Sequence, residues 1–86
     1  MGNHTIIFSK HALSQMEERG AAKDEAAEAI LRGEKVPAKK GRHAFRLNFE
    51  YNRIWGNKYY RIKQVMPIAA EEGNKLTVVT VYVFYF

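Results

Sequence analysis

The sequence predicts an α+β domain in which two N-terminal helices pack on one face of a four-stranded, mostly antiparallel sheet. Three observations carry that expectation. Two short segments with helical periodicity each stop at a glycine, Gly20 and Gly33. From His43 to Tyr51 apolar and polar residues alternate with the period of a strand. Gly56-Asn57 and Gly73-Asn74 read as two-residue hairpin turns, because glycine supplies the positive φ such turns need.

In chain order, Thr5-Ile6-Ile7-Phe8 is a short β-rich run. Ser9 is a fitting N-cap for a helix over Lys10–Arg19, with Ala12, Leu13, Met16 and Gly20 on its core side. His11, Gln15 and Arg19 form a separate polar stripe on that helix. A second helix over Lys23–Arg32 opens with Asp24-Glu25, which suits the helix dipole, and carries Ala26, Ala27, Ile30 and Leu31. Its small alanines permit a close approach to the first helix.

Folding the chain about the two turns sets a register. It places Glu50 opposite Lys63, Tyr51 opposite Ile62, Glu72 opposite Lys75, Met66 opposite Val81 and Val65 opposite Tyr82, so that opposite charges and apolar side chains meet. Pro67 falls inside a strand flanked on both sides, where its missing donor demands a bulge or bend. The last strand, Leu76–Phe86, is apolar on both faces and is expected at the centre, with Thr5–Phe8 covering its free side.

An 86-residue chain allows a single domain over 1–86. Its 47% hydrophobic content is too high for disorder. The absence of cysteine excludes disulfide staples, thiolate chemistry and cysteine-based zinc sites. No apolar run reaches the roughly 18 residues of a membrane span and no secretory leader pattern is visible, so a cytoplasmic location without membrane contact is expected. Three histidines with no i, i+4 pair give no metal-ligand pattern, and no phosphate-cradling glycine loop or Ser-His-Asp spacing is present, so no cofactor is expected.

The net charge of +5 is unevenly spread. Residues 1–34 carry 4 basic and 6 acidic side chains, whereas residues 35–63 carry nine cations against Glu50 alone. A charge run is ordinarily a solvated face. Interleaved with aromatic residues, this one favours a polyanion, with RNA first. The expected nucleic-acid contacts are Lys39, Lys40, Arg42, His43, Arg46, Arg53, Lys58, Arg61, Lys63 and Phe84. With the helices covering Phe45, Leu47, Phe49, Ile62 and Val81, the opposite face would show Arg46, Asn48, Arg61, Lys63, Tyr82, Phe84 and Phe86, an arrangement in which cations hold phosphates while rings stack on bases.

The run His11-Ala12-Leu13-Ser14-Gln15-Met16-Glu17-Glu18-Arg19-Gly20, followed by acidic residues opening a second helix, resembles small bacterial domains of unknown function that begin S-x-H-A-x-x-R-M-x-x-R-G-I. Their final strand reads like Val79-Thr80-Val81-Tyr82. Gln15 departs from an arginine of that pattern, Ala21 from an isoleucine and Ala22 from a Ser or Thr cap. The family resembles RelE/ParE-like toxins, which implies two helices on an antiparallel sheet and, among the relatives, either ribosome-dependent mRNA cleavage or gyrase inhibition. It also implies an acidic antitoxin as partner.

Metal-free RNA cleavage needs proton transfer and cations for the phosphorane charge. The candidate groups are His11 and Arg19 on the first helix, with Arg46, Arg61 and Tyr82 on the sheet. One site can use both sets only if the helices overhang a sheet edge. The rival expectations are a non-catalytic module binding nucleic acid or protein through the same sheet, and a gyrase inhibitor acting through its helices.

Overall fold

The computed structural model describes residues 4–86. Thr5–Phe8 forms β1, Lys10–Arg19 α1, Lys23–Arg32 α2, Glu34–Val36 β2, Arg42–Trp55 β3, Lys58–Glu72 β4 and Lys75–Tyr85 β5. The fold is α+β, with two helices and one five-stranded mixed sheet in the order β1-β5-β4-β3-β2. β1 runs parallel to β5 and the other pairs are antiparallel. The expected four-stranded sheet is therefore corrected to five. The added strand, β2, is only three residues long and carries no alternation, so its pairing with Ala44–Arg46 has no local signature.

Both helices occupy the expected spans, because their signals are local. The Ser9 hydroxyl accepts the Ala12 N–H (3.0 Å), and Gly20 closes α1 in the left-handed region at φ 82°. α1 buries Ala12 and Met16, while Leu13 stays exposed. α2 buries Ala26, Ala29 and Ile30 and leaves Leu31 exposed. Its alanines bring it down onto β3 and β4 rather than onto α1. Gly33 completes that approach: a Cβ there would lie 2.5 Å from the Arg46 carbonyl oxygen of β3. Together the helices and the sheet enclose Phe45, Val65, Leu76, Val78 and Val81.

The register follows the turns only close to them. Glu72 faces Lys75 as expected, but a bulge then separates Ile68–Thr80 from Ala69–Val78, so that Val79 is an extra residue on β5. Beyond it Met66 faces Tyr82 and Val65 faces Val83, correcting the expected partners by one residue. The bulge adjoins Pro67, which is fully buried opposite Val81. In the other hairpin Tyr51 and Asn52 together oppose one residue of β4, and Asn52 takes a positive φ of 50°. Glu50 therefore faces Ile62 and Phe49 faces Lys63. This second bulge turns Lys63 onto the helix face and Ile62 onto the outer face, the reverse of what turn-set pairing implies.

Candidate nucleic-acid interface

β1 accompanies β5 only as far as Val78, which leaves the following residues of β5 without a strand on that side. α1 overhangs this open edge and satisfies part of it with side chains. The Gln15 Oε1 accepts the Val81 N–H (3.0 Å) and the Thr80 hydroxyl. Arg19 Nη1 donates to the Val81 carbonyl (2.7 Å), and its guanidinium lies 5.5 Å from the centre of the Tyr82 ring. The polar stripe of α1 thus serves as a surrogate strand for β5, and it brings Arg19 to Tyr82. His11, one turn before Gln15 on the stripe, is exposed and has no hydrogen-bond or ion-pair partner among the described residues.

On the outer face the sheet and the loop after β2 form an open concavity of about 460 Å³. Val36, Ala44, Met66, Ile68 and Val79 give it an apolar floor; Tyr82 supplies a hydroxyl, while that of the lining Thr80 donates to Gln15; Lys39 and Arg42 supply cations. Loop geometry sets the cations there, since the Arg42 N–H donates to the Lys39 carbonyl (2.9 Å). Further along β5 the Tyr82 and Phe84 rings stack at 6.4 Å, with Phe84 41% exposed and Phe86 62% exposed. Cations, a hydroxyl and rings on a concave surface can hold a phosphate and a flat base together.

The expected catalytic residues are not one cluster. Arg19 and Tyr82 meet. Arg46 stays on the outer face, but its Nε donates to Glu34 (2.8 Å) across the β2–β3 pair. Arg61 is exposed beside the end of β5, its N–H donating to the Phe86 carbonyl (2.8 Å). Arg53 and Lys58 flank the β3–β4 turn, poised over the rings of Tyr51 and Tyr60. Lys40 is exposed in the loop beside Lys39.

Lys63 must be removed from the nucleic-acid contacts. Its side chain is 9% exposed, and its Nζ lies 2.8 Å from Glu25 and donates to the Gly20 carbonyl (2.9 Å). It ties the link between the helices to β4. Glu25 also accepts the Ala22 N–H (2.9 Å), replacing the side-chain cap that alanine cannot offer.

His43 does not face a phosphate either. His4 and His43 hydrogen-bond opposite oxygens of Glu71 (2.6 and 3.0 Å), and these bonds hold the Glu71 carboxyl below the usual carboxylate range. Tyr85 moves the other way: burial, then the neighbouring Tyr51 and Glu25, push its hydroxyl up to about 12. That hydroxyl donates to the Arg19 carbonyl (2.6 Å), so it locks α1 to β5 and takes no part in the concavity.

Sequence reasoning gave no role to Gln15 and missed Gln64, the partner of Asn48, which it did expect on the outer face. Gln15 was visible in the polar stripe, but its target exists only once β5 bulges. The other two form a cross-strand amide pair, Gln64 Nε2 donating to Asn48 Oδ1 (2.9 Å) on the outer face. No family model matches this chain, and no curated protein or solved structure matches it. Among the described residues, no helix is long and apolar enough to cross a membrane.

Proposed function

We propose that this protein is a toxin-type RNA-binding protein of the RelE/ParE-like kind, which takes an unpaired nucleotide into the outer-face concavity. The observation that carries the reading is the concavity itself: an apolar floor with Tyr82 at one side, Lys39 and Arg42 at the other, and Arg19 against the Tyr82 ring. Unpaired RNA suits it because the base must be free to leave its stack and the phosphate must reach a cation. The N-terminal signature and the pair of helices on one sheet face agree with the family that the sequence resembles. An acidic antitoxin segment laid over Lys39 and Arg42 would compete for the same surface.

Cleavage is a further step of this reading. Tyr82 and Arg19 can orient a phosphodiester, and His11 on the same helical stripe is the proton-transfer candidate. The 2′-oxygen would lose its proton to the imidazole and attack phosphorus. The 5′-oxygen would leave with a proton taken from water, giving a 2′,3′-cyclic phosphate.

The test is fluorescence anisotropy with labelled single-stranded oligoribonucleotides, in EDTA, followed by gel analysis of the same samples. Salt-sensitive binding that Arg42→Glu weakens at least tenfold supports the RNA reading. Cyclic-phosphate products that vanish in His11→Ala add nuclease activity to it, whereas intact RNA leaves a binding protein. No binding at low salt overturns it.

A further inference from the structure

The outer face is a grid set by strand pairing. Phe84 of β5 is directly opposite Gln64 of β4, which is directly opposite Asn48 of β3. This row lies next to the concavity, because Met66 and Tyr82, which face each other, both line it. Two residues along a strand advance about 6.7 Å, close to the reach of one nucleotide in an extended strand. A chain seated in the concavity would therefore bring its neighbouring base over this row.

The row has what base reading requires. The Phe84 ring is 41% exposed and stacks with Tyr82 only along one side. The side chains of Gln64 and Asn48 use one donor and one acceptor on each other, and neither side chain makes another hydrogen bond among the described residues. Whichever of the two amides donates to the other, the bonded pair keeps three free N–H donors and one wholly free carbonyl oxygen, side by side on the outer face. A phosphate-binding surface has no use for such an acceptor. A base edge does.

We propose that Phe84 and the Asn48–Gln64 amide pair form a base-reading subsite for the nucleotide adjoining the concavity, with adenine as the base it selects. Phe84 supplies the stacking platform, and the amides meet the N6 donor and N7 acceptor, the edge that Asn and Gln match. The inference rests on the RNA reading above and assigns a sequence preference to it.

The experiment compares labelled octauridylates carrying a single central adenosine or a single purine riboside, which lacks the 6-amino group. Anisotropy titrations of the wild-type protein should show about tenfold tighter binding of the adenosine oligonucleotide. Gln64→Leu should bring that ratio close to one. Phe84→Leu should weaken binding of both oligonucleotides by about tenfold. Leu31→Gln, on the exposed side of α2, should leave affinity and ratio as they are. Circular dichroism checks that each variant is folded.

A ratio near one in the wild type, alongside binding that Arg42→Glu abolishes, overturns the subsite and spares the RNA reading. A ratio that survives Gln64→Leu also overturns the subsite. Absence of binding to either oligonucleotide overturns both.

Discussion

Lys63 and Glu25 are unequal partners. The ammonium is buried to 9% exposure while the carboxylate keeps 23%, so each charge fares differently when the other is removed. Glu25→Ala strands a buried cation and removes the acceptor for the Ala22 N–H. It should cost about 3 kcal/mol or more. Lys63→Met keeps the stem's packing and leaves a carboxylate that can turn to water, so it should cost clearly less. Urea denaturation of the two variants measures this order; equal losses would mean that the pair contributes nothing asymmetric.

Two titrating groups extend the reasoning to pH. Glu71 is held below its ordinary range by His4 and His43, so its contribution to stability is present above the unfolded-state value and lost as pH falls through the lowered native one. Glu71→Gln should consequently flatten the fall in stability as pH drops below about 4.5, the ordinary glutamate value. Tyr85 has the opposite sign. Its native value of about 12 lies above that of an unfolded tyrosine, so the stability it adds is intact below about pH 10 and declines as pH rises towards 12. Tyr85→Phe removes that alkaline decline, and ultraviolet titration should show one fewer late-ionising tyrosine.

At the scale of elements, the two bulges explain what could be read from the sequence and what could not. α1 and α2 were legible to the residue because Ser9, Gly20 and Gly33 act within a turn of the backbone they cap. The interior position of β5 as far as Val78 was legible because both of its faces are apolar, but its open edge beyond Val78, where β1 stops, was not. Near each turn the pairing was legible too, since a two-residue turn fixes the first partners. Past Asn52 and Val79 it was not: the extra residue in each strand answers to tertiary neighbours that no local pattern records. At Val79 the neighbours are Pro67, which lacks a donor, and Gln15, which takes the Val81 N–H. The site suffered accordingly. Tyr82 and Phe84 were placed on the correct face and Lys63 on the wrong one, while the pairing of Arg46 with Glu34 depends on a strand too short to recognise. Asn52 gives this argument a test. A β-branched residue tolerates the left-handed region poorly, so Asn52→Val should cost about 1–2 kcal/mol, whereas Asn52→Gly should cost little beyond the bond from the Tyr59 hydroxyl. Thermal melts separate the two.

Over the whole molecule, the cations of residues 35–63 divide by pairing and by position. Arg46 and Lys63 are neutralised by Glu34 and Glu25, leaving seven of the nine without an ion pair among the described residues. Lys35, Lys39, Lys40 and Arg42 cluster at the concavity end of β3. Arg53, Lys58 and Arg61 lie around the β3–β4 turn, at the other end of a molecule 42 Å long. From Met66 to Lys58 the strand covers roughly 26 Å, more than the three nucleotide-to-nucleotide steps of a tetranucleotide can span. A short RNA should therefore meet only the first group and a long one should meet both. Since the logarithm of affinity falls with the logarithm of salt by about 0.7 per phosphate contact on single strands, a tetranucleotide engaging about three cations should give a slope of about −2. A 12-mer that reaches the hairpin tip should approach −4. Arg53→Glu with Lys58→Glu should return the 12-mer slope to that of the tetranucleotide and leave the tetranucleotide unaffected. If both lengths give one slope in the wild type, the hairpin does not touch RNA and binding is confined to the concavity.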